Sequence, residues 1–227
     1  MTVIQLARRI EHTLLKPEAT REQIDALCDE AIEHGMLAVC VSPARVRQAV
    51  ERLNRCNARR PPFVVSVVGF PHGTHRPEVK AEEARLAMED GALEIDMVLN
   101  RGALFDGDKA GVRREIELLA RVAHGIGEPR KLKVILECST LTEEQIILAC
   151  RCAMEGEADF VKTSTGFHPT GGATVEHVRM LHRYASPMKT KAAGGIRTAA
   201  QANEMIQAGA ERIGTSHGVS LLREFAA

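Results

Sequence analysis

Asp159-Phe160-Val161-Lys162-Thr163-Ser164-Thr165-Gly166-Phe167 reads as a short buried strand that runs into a hydroxyl- and glycine-rich turn. Lysine is almost never fully buried without a partner. Lys162, in the middle of such a strand, therefore either reaches water at the strand end or occupies a site that uses an amine. The second option places an imine-forming nucleophile at the mouth of a (β/α)8 barrel. It requires the flanking chain to supply the barrel, the groups that tune the amine, and a pocket.

Outward from this stretch the chain alternates strand and helix. Upstream, residues 10–16 form a strand candidate closed by Pro17, after a short helical lead-in. Thr20 and Gln23 make a capping box that opens a helix ending at Gly35. Residues 36–41 are the next strand, and Ser42-Pro43 offers an N-cap and a first-turn proline. Strand 63–68 leads through a Gly-Phe-Pro-His-Gly corner into a helix ending near Gly91. Strand 93–99 is followed by a loop and a helix over 108–124, and strand 132–137 precedes a helix opened by Thr142. Downstream of Lys162, a helix begins near Thr174, strand 188–193 precedes a helix over 198–208, and strand 212–215 precedes a last short helix.

About eight such alternations imply a parallel sheet with crossover helices. In a chain of 227 residues, with no linker-like run dividing it, they favour one closed (β/α)8 TIM barrel spanning residues 1–227. A doubly wound open sheet is the competing arrangement. It would usually carry Gly-x-Gly-x-x-Gly after its first strand, and none is present.

Composition narrows the partners. Lys plus Arg and Asp plus Glu are each 30, so no general polyanion is implied and any phosphate affinity has to be local. Aromatic content of 3% without Trp argues against a base-stacking nucleic-acid surface. The N-terminal apolar run is too short for a signal peptide and no stretch has the length of a membrane span, so the expected location is the cytoplasm, away from membranes. The six cysteines form no Cys-x-x-Cys pair and are expected as reduced thiols; Cys40, at a strand end, is either a packing thiol or one exposed to reactive aldehyde.

Charged residues recur inside the apolar strands: Asp96, then Lys133 and Glu137, Lys162 and Lys191. One such residue is often a strand end reaching solvent, but four successive strands with one each suggest a shared site. An ordinary lysine titrates near about 10.4 and attacks a carbonyl only when unprotonated. A second ammonium about 4 Å away, at an effective dielectric of about 20, costs about 4 kcal/mol, or roughly three pKa units. Lys191 is the expected neighbour that keeps Lys162 partly uncharged. Asp96 can move protons at the carbinolamine oxygen and the adjacent carbon. The bland alternative is a Lys191–Asp96 ion pair that holds the barrel together.

Ala192-Ala193-Gly194-Gly195-Ile196-Arg197-Thr198 closes the seventh strand and opens a helix, and Gly214-Thr215-Ser216-His217-Gly218 does the same after the eighth. Glycines, helix-start N–H groups and Arg197 suit an anion, at the position where barrels commonly bind phosphate. The nine histidines are scattered without a His-x-His or His-Glu-x-x-His pair, so no metal site is expected.

These residues resemble the class I 2-deoxyribose-5-phosphate aldolases over nearly the whole chain. The likeness is carried by His12-Thr13-Leu14-Leu15-Lys16-Pro17, Val39-Cys40-Val41, Val68-Gly69-Phe70-Pro71, Glu94-Ile95-Asp96-Met97-Val98, Lys133-Val134-Ile135-Leu136-Glu137, Phe160-Val161-Lys162-Thr163-Ser164-Thr165-Gly166-Phe167, Lys191-Ala192-Ala193-Gly194-Gly195-Ile196-Arg197 and Arg212-Ile213-Gly214-Thr215-Ser216. The resemblance implies a (β/α)8 barrel that needs no metal or organic cofactor. It implies reversible cleavage of 2-deoxy-D-ribose 5-phosphate to acetaldehyde and D-glyceraldehyde 3-phosphate in deoxynucleoside catabolism. Lys162 falls on the Schiff-base lysine, Lys191 on the lysine that tunes it, and Asp96 on the carboxylate of the proton relay. Gly166, Gly194, Gly195, Arg197 and Ser216 fall in the stretches that hold phosphate, with Thr165 and Lys133 counted among the candidate substrate contacts. A homodimer is the family's common assembly.

The departures bear on substrate more than on chemistry. Glu11 stands where Asp is usual, and Asn100-Arg101-Gly102-Ala103-Leu104-Phe105 replaces Asn-Ile-Gly-Ala-Leu-Lys. The Phe167-His168-Pro169-Thr170-Gly171-Gly172 loop is one residue longer, Ala193 replaces a frequent Ser, and His217 a small hydroxyl. A paralogue using the same imine chemistry on another aldehyde or sugar, phosphorylated or not, and a non-catalytic phosphosugar sensor are the competing readings.

Overall fold

The computed structural model describes residues 1–125 and 130–226; Ala227, the last residue of the expected domain span, lies outside them. In chain order the elements are α1 (Val3–Ala7), β1 (Ile10–Leu14), α2 (Arg21–Glu33), β2 (Ala38–Val41), α3 (Val46–Leu53), β3 (Phe63–Val68), α4 (Pro77–Glu89), β4 (Glu94–Val98), α5 (Arg101–Phe105) and α6 (Lys109–Gly125). They continue as β5 (Lys131–Ile135), α7 (Glu143–Glu155), β6 (Phe160–Lys162), α8 (Val175–Tyr184), β7 (Lys189–Ala193), α9 (Ala199–Gln207), β8 (Arg212–Thr215) and α10 (Gly218–Ala226).

The strands pair in sequence order, all parallel, and β8 closes on β1 through Ile10↔Ile213, Glu11↔Gly214 and His12↔Thr215. This is the (β/α)8 barrel expected from the alternation. Local chemistry starts the helices where the sequence places them. Thr20–Gln23, Thr142–Gln145 and Thr198–Gln201 are reciprocal capping boxes, and Thr174 accepts from the His177 N–H. Each such cap contributes about 1 kcal/mol.

Strand alternation sorts the side chains into two cores. Ile95, Met97, Leu132, Val134, Val161, Ala192 and Ile213 point outward and join the apolar layer between barrel and helices. The barrel interior divides in two. On the β2 and β3 side it is a small apolar cluster of Ala38, Cys40, Val65 and Val67, joined by Leu15 from the loop after β1. Across from it, Glu11, Glu94, Asp96, Lys133 and Lys191 are fully or almost fully buried.

Some boundaries differ from the sequence expectation. β1 stops at Leu14, so Leu15 and Lys16 belong to the loop at the barrel mouth. β2 starts at Ala38 because the Met36 N–H is drawn back to the Ala31 carbonyl (2.9 Å), closing the end of α2. Ser42 makes no side-chain cap; Pro43–Arg45 is a 3-10 turn and the α-helix begins at Val46. The segment after β4, expected as a loop, forms α5, capped by Asn100 accepting from the Ala103 N–H at 3.2 Å.

Candidate active site

β4, β6 and β7 each send a charged side chain into the barrel, and the three meet. Lys162 Nζ donates to Asp96 Oδ2 at 2.8 Å, and Lys191 Nζ donates to the same oxygen at 2.6 Å. The two amines are therefore no farther apart than the sum of those distances. The register explains why: Lys162 lies directly beside Lys191 in the β6–β7 ladder, so alternation turns both inward. Asp96 Oδ1 accepts from Lys133 Nζ at 2.9 Å, and that amine also lies 2.6 Å from Glu94 Oε2 and 3.7 Å from Glu11 Oε1. Glu11 Oε2 accepts from Lys191. Arg212 lies 3.6 Å from Glu94 at the edge of the network.

Burial alone would raise the Asp96 carboxyl, but the Lys133, Lys162 and Lys191 ammoniums outweigh it and hold it well below the usual carboxylate range. Glu11 behaves likewise: burial pushes it up, and Lys133 and Lys191 bring it below its ordinary value. Burial would lower Lys191 and Lys133, but Asp96 and Glu11 more than reverse this, so both are raised and stay charged. Asp96 is thus an anion and Lys191 a cation at neutral pH.

Above this network a cavity of about 360 Å³ opens at the C-terminal end of the strands. Of the three lysines bonded to Asp96, Lys162 alone lines it. Thr165, Gly166, Gly194, Gly195, Arg197 and Ser216 line it as well, with Ala193 and His217. Gly166, Gly194 and Gly172 allow the walls to meet: a Cβ on Gly172 would fall 2.1 Å from the Gly194 carbonyl oxygen, and one on Gly166 3.3 Å from Gly194 Cα. Lys133 is not brought to the cavity. It is completely buried beneath Asp96, where its amine meets the Glu11, Glu94 and Asp96 carboxylates and lies 6.0 Å from the centroid of the Phe160 ring.

Three features carried no assigned site role from the sequence, although Glu137 was among the recurring strand charges. Thr13, near the end of β1, and Lys16, in the loop freed because β1 ends at Leu14, line the cavity. Glu11 completes the charge network; a carboxylate between Ile10 and His12 in an apolar strand carries the same signal that marks Asp96. Glu137, just past β5 and buried, takes a left-handed φ of 60° and accepts from the Thr165 N–H and hydroxyl. Thr165 Oγ1 in turn accepts from the Phe167 N–H at 3.1 Å.

The distinctive loop also has a place. The Phe167 ring stands edge-on to Phe70, with centroids 5.1 Å apart at 82°, and forms part of the cavity wall. His217 Nδ1 lies 3.1 Å from Ser216 Oγ. Cys40 is a packing thiol: it is fully buried in the apolar half of the barrel, and burial pushes its titration up. Among the described residues, no group of three or more His, Cys, Asp and Glu side chains could hold a metal ion, and no helix is long and apolar enough to cross a membrane.

A lysine amine at a barrel mouth, hydrogen-bonded to a buried carboxylate beneath a cavity, makes this a lysine-bearing (β/α)8 barrel. Comparison with known proteins narrows this. The chain belongs to the DeoC/LacD family of aldolases, whose family model matches residues 7–226. It is 56% identical over 223 residues to the deoxyribose-phosphate aldolase of Thermococcus gammatolerans, covering 98% of this chain and 97% of that protein. It is 47% identical over 220 residues to that of Brevibacillus brevis, covering 96% of each. The tetrameric deoxyribose phosphate aldolase of Aeropyrum pernix superposes with a TM-score of 0.91 at 33% identity, over 100% of this chain and 93% of that one.

Proposed function

We propose that the chain is a class I deoxyribose-phosphate aldolase, reversibly cleaving 2-deoxy-D-ribose 5-phosphate to acetaldehyde and D-glyceraldehyde 3-phosphate, with Lys162 as the imine-forming amine. The observation that carries this is that, among the described residues, Lys162 alone joins the buried Asp96 network to the cavity.

Charge balance supports that choice. Glu11, Glu94 and Asp96 face Lys133, Lys191 and Arg212 within 4 Å contacts, three against three, without counting Lys162. Lys162 is the amine the network can spare. Lys191 sets a second cationic side chain beside Lys162, with the Asp96 carboxylate bound between them.

In the cleavage direction, uncharged Lys162 Nζ attacks C1 of the open-chain sugar, and the carbinolamine loses water to give the imine. A base removes the C3 hydroxyl proton, the C2–C3 bond breaks, and its electrons move to C2 as the imine becomes an enamine. D-glyceraldehyde 3-phosphate leaves. Protonation at C2 and hydrolysis release acetaldehyde and restore Lys162. Asp96, directly or through one water, carries these protons, and Lys191 keeps it ionised and oriented. Gly166, Gly194, Gly195, Arg197 and Ser216 hold the phosphate. Thr165 contributes to that wall.

This reading carries with it a role in deoxynucleoside breakdown in the cytoplasm and assembly as a homodimer, which sedimentation of the purified chain checks. The direct assay follows acetaldehyde and glyceraldehyde 3-phosphate released from 2-deoxy-D-ribose 5-phosphate. Both products in equal amounts support the reading, and absence of cleavage by the purified chain removes it.

A further inference from the structure

We infer that Lys16 is a second cation of the phosphate end of the cavity, and that it and Arg197 together make the site selective for a phosphate dianion. This deepens the aldolase reading and rests on it.

The placement follows from barrel closure. β8 pairs with β1 on one side and β7 on the other. The loop carrying Ser216 and His217 is therefore flanked by the β1 loop, which carries Lys16, and the β7 loop, which carries Arg197. All four residues line the same cavity. β1 ends at Leu14, which frees Lys16 from the ladder, and the Ala19 N–H bonded to the Lys16 carbonyl at 3.0 Å folds the loop back, with Pro17 restricting its backbone.

Charge points the same way. Among the described residues, neither the Lys16 nor the Arg197 side chain enters an ion pair or a side-chain hydrogen bond, whereas the lysines of the inner network are all matched by carboxylates. A phosphate monoester carries about −1.5 to −2 at neutral pH. One guanidinium leaves about 0.5 to 1 of that charge unmatched, and two flanking cations do not. Lys162, the cavity's third cationic side chain, is reserved for the carbonyl at the other end. The cavity thus holds an amine for the aldehyde carbon and two unpaired cations for the phosphate.

The test compares kcat/KM for 2-deoxy-D-ribose 5-phosphate and for 2-deoxy-D-ribose in the parent, Lys16→Met, Lys16→Arg and Arg197→Met proteins. Losing one charge-assisted contact predicts a drop of about tenfold or more in the preference for the phosphorylated sugar in Lys16→Met, mostly through KM. Lys16→Arg restores the preference to within about threefold, because either cation answers the same anion. Added salt erodes the preference of the parent more than that of Lys16→Met. A preference unchanged in Lys16→Met, or a loss equal for both sugars, overturns the inference. Calorimetric binding of glycerol 3-phosphate, which has no carbonyl, reads the same site without turnover and should weaken about tenfold in Lys16→Met. Weakened binding in a chain that cleaves neither sugar would sink the aldolase reading and keep the anion site. Normal cleavage with unaltered binding and preference would do the reverse.

Discussion

Substituting Lys191 by leucine removes the ammonium held between Glu11 and Asp96. Turnover should fall, and its pH optimum should move upward, since one positive charge beside Lys162 is gone; a kcat against pH profile identical to the parent's would contradict the tuning role. Lys162→Arg should abolish cleavage, because a guanidinium cannot form the imine. The same network sets acid stability. Asp96 and Glu11 titrate lower folded than unfolded, so the stability they contribute is complete above the ordinary carboxylate range and is lost as pH falls through their folded values. Urea midpoints should therefore decline below about pH 4, and Asp96→Asn should flatten that decline while lowering stability at neutral pH. An acid limb as steep in the variant as in the parent would assign it elsewhere. Asp96, Lys162 and Lys191 were legible as charges inside apolar strands. That they share one oxygen was not, because it depends on the β4 to β7 register, and Glu11 meets Lys191 only because the barrel closes over 180 residues of separation.

Behind the barrel, α4 and α6 are tied to the end of β4 by a buried pair: Lys80 Nζ lies 2.6 Å from Glu115 Oε1 and donates to the Val98 carbonyl at 2.8 Å. Glu115 also accepts from the Asn100 N–H at 3.3 Å. Burial lowers Lys80 and raises Glu115, so the pair is costly in itself but costlier to break. Lys80→Met alone should destabilise by about 3–5 kcal/mol in urea unfolding, and Lys80→Met with Glu115→Leu should recover most of that. A double variant no better than the single would mean the pair does more than neutralise itself. On the catalytic side, Glu137 holds the Thr165 turn that lines the cavity. Glu137→Gln puts an amide donor against a Thr165 donor, so KM for the phosphorylated sugar should rise several-fold, more than kcat falls. An equal loss in both would make Glu137 a general scaffold residue. Helix starts were legible because capping boxes are local, reciprocal patterns. Strand ends were not, because pairing across the barrel fixes them, and α5 escaped notice because it rests on a single Asn100 cap over five residues.

At the scale of the molecule, the eightfold alternation revealed the barrel, since parallel strands need crossover helices and eight of them close. The division of its interior into an apolar half and an ionic half was not legible, because alternation tells inward from outward but not which inward residues face one another. That division has a mechanical meaning: the network ties β1, β4, β5, β6, β7 and β8 together around three buried carboxylates, so the site and the closed sheet should be lost together. Residues 1–227 should unfold as a single domain, with far-UV signal and aldolase activity vanishing in one transition; two separated transitions would contradict this. The central claim, that one amine above that network takes the aldehyde, is tested most directly by trapping. Acetaldehyde and borohydride are added to the purified chain, and the peptides are mapped by mass. A reduced two-carbon adduct is expected on Lys162 and none in Lys162→Arg, whereas an adduct on Lys191 or Lys16 instead, or an unmodified Lys162 in an active enzyme, would contradict this role for Lys162.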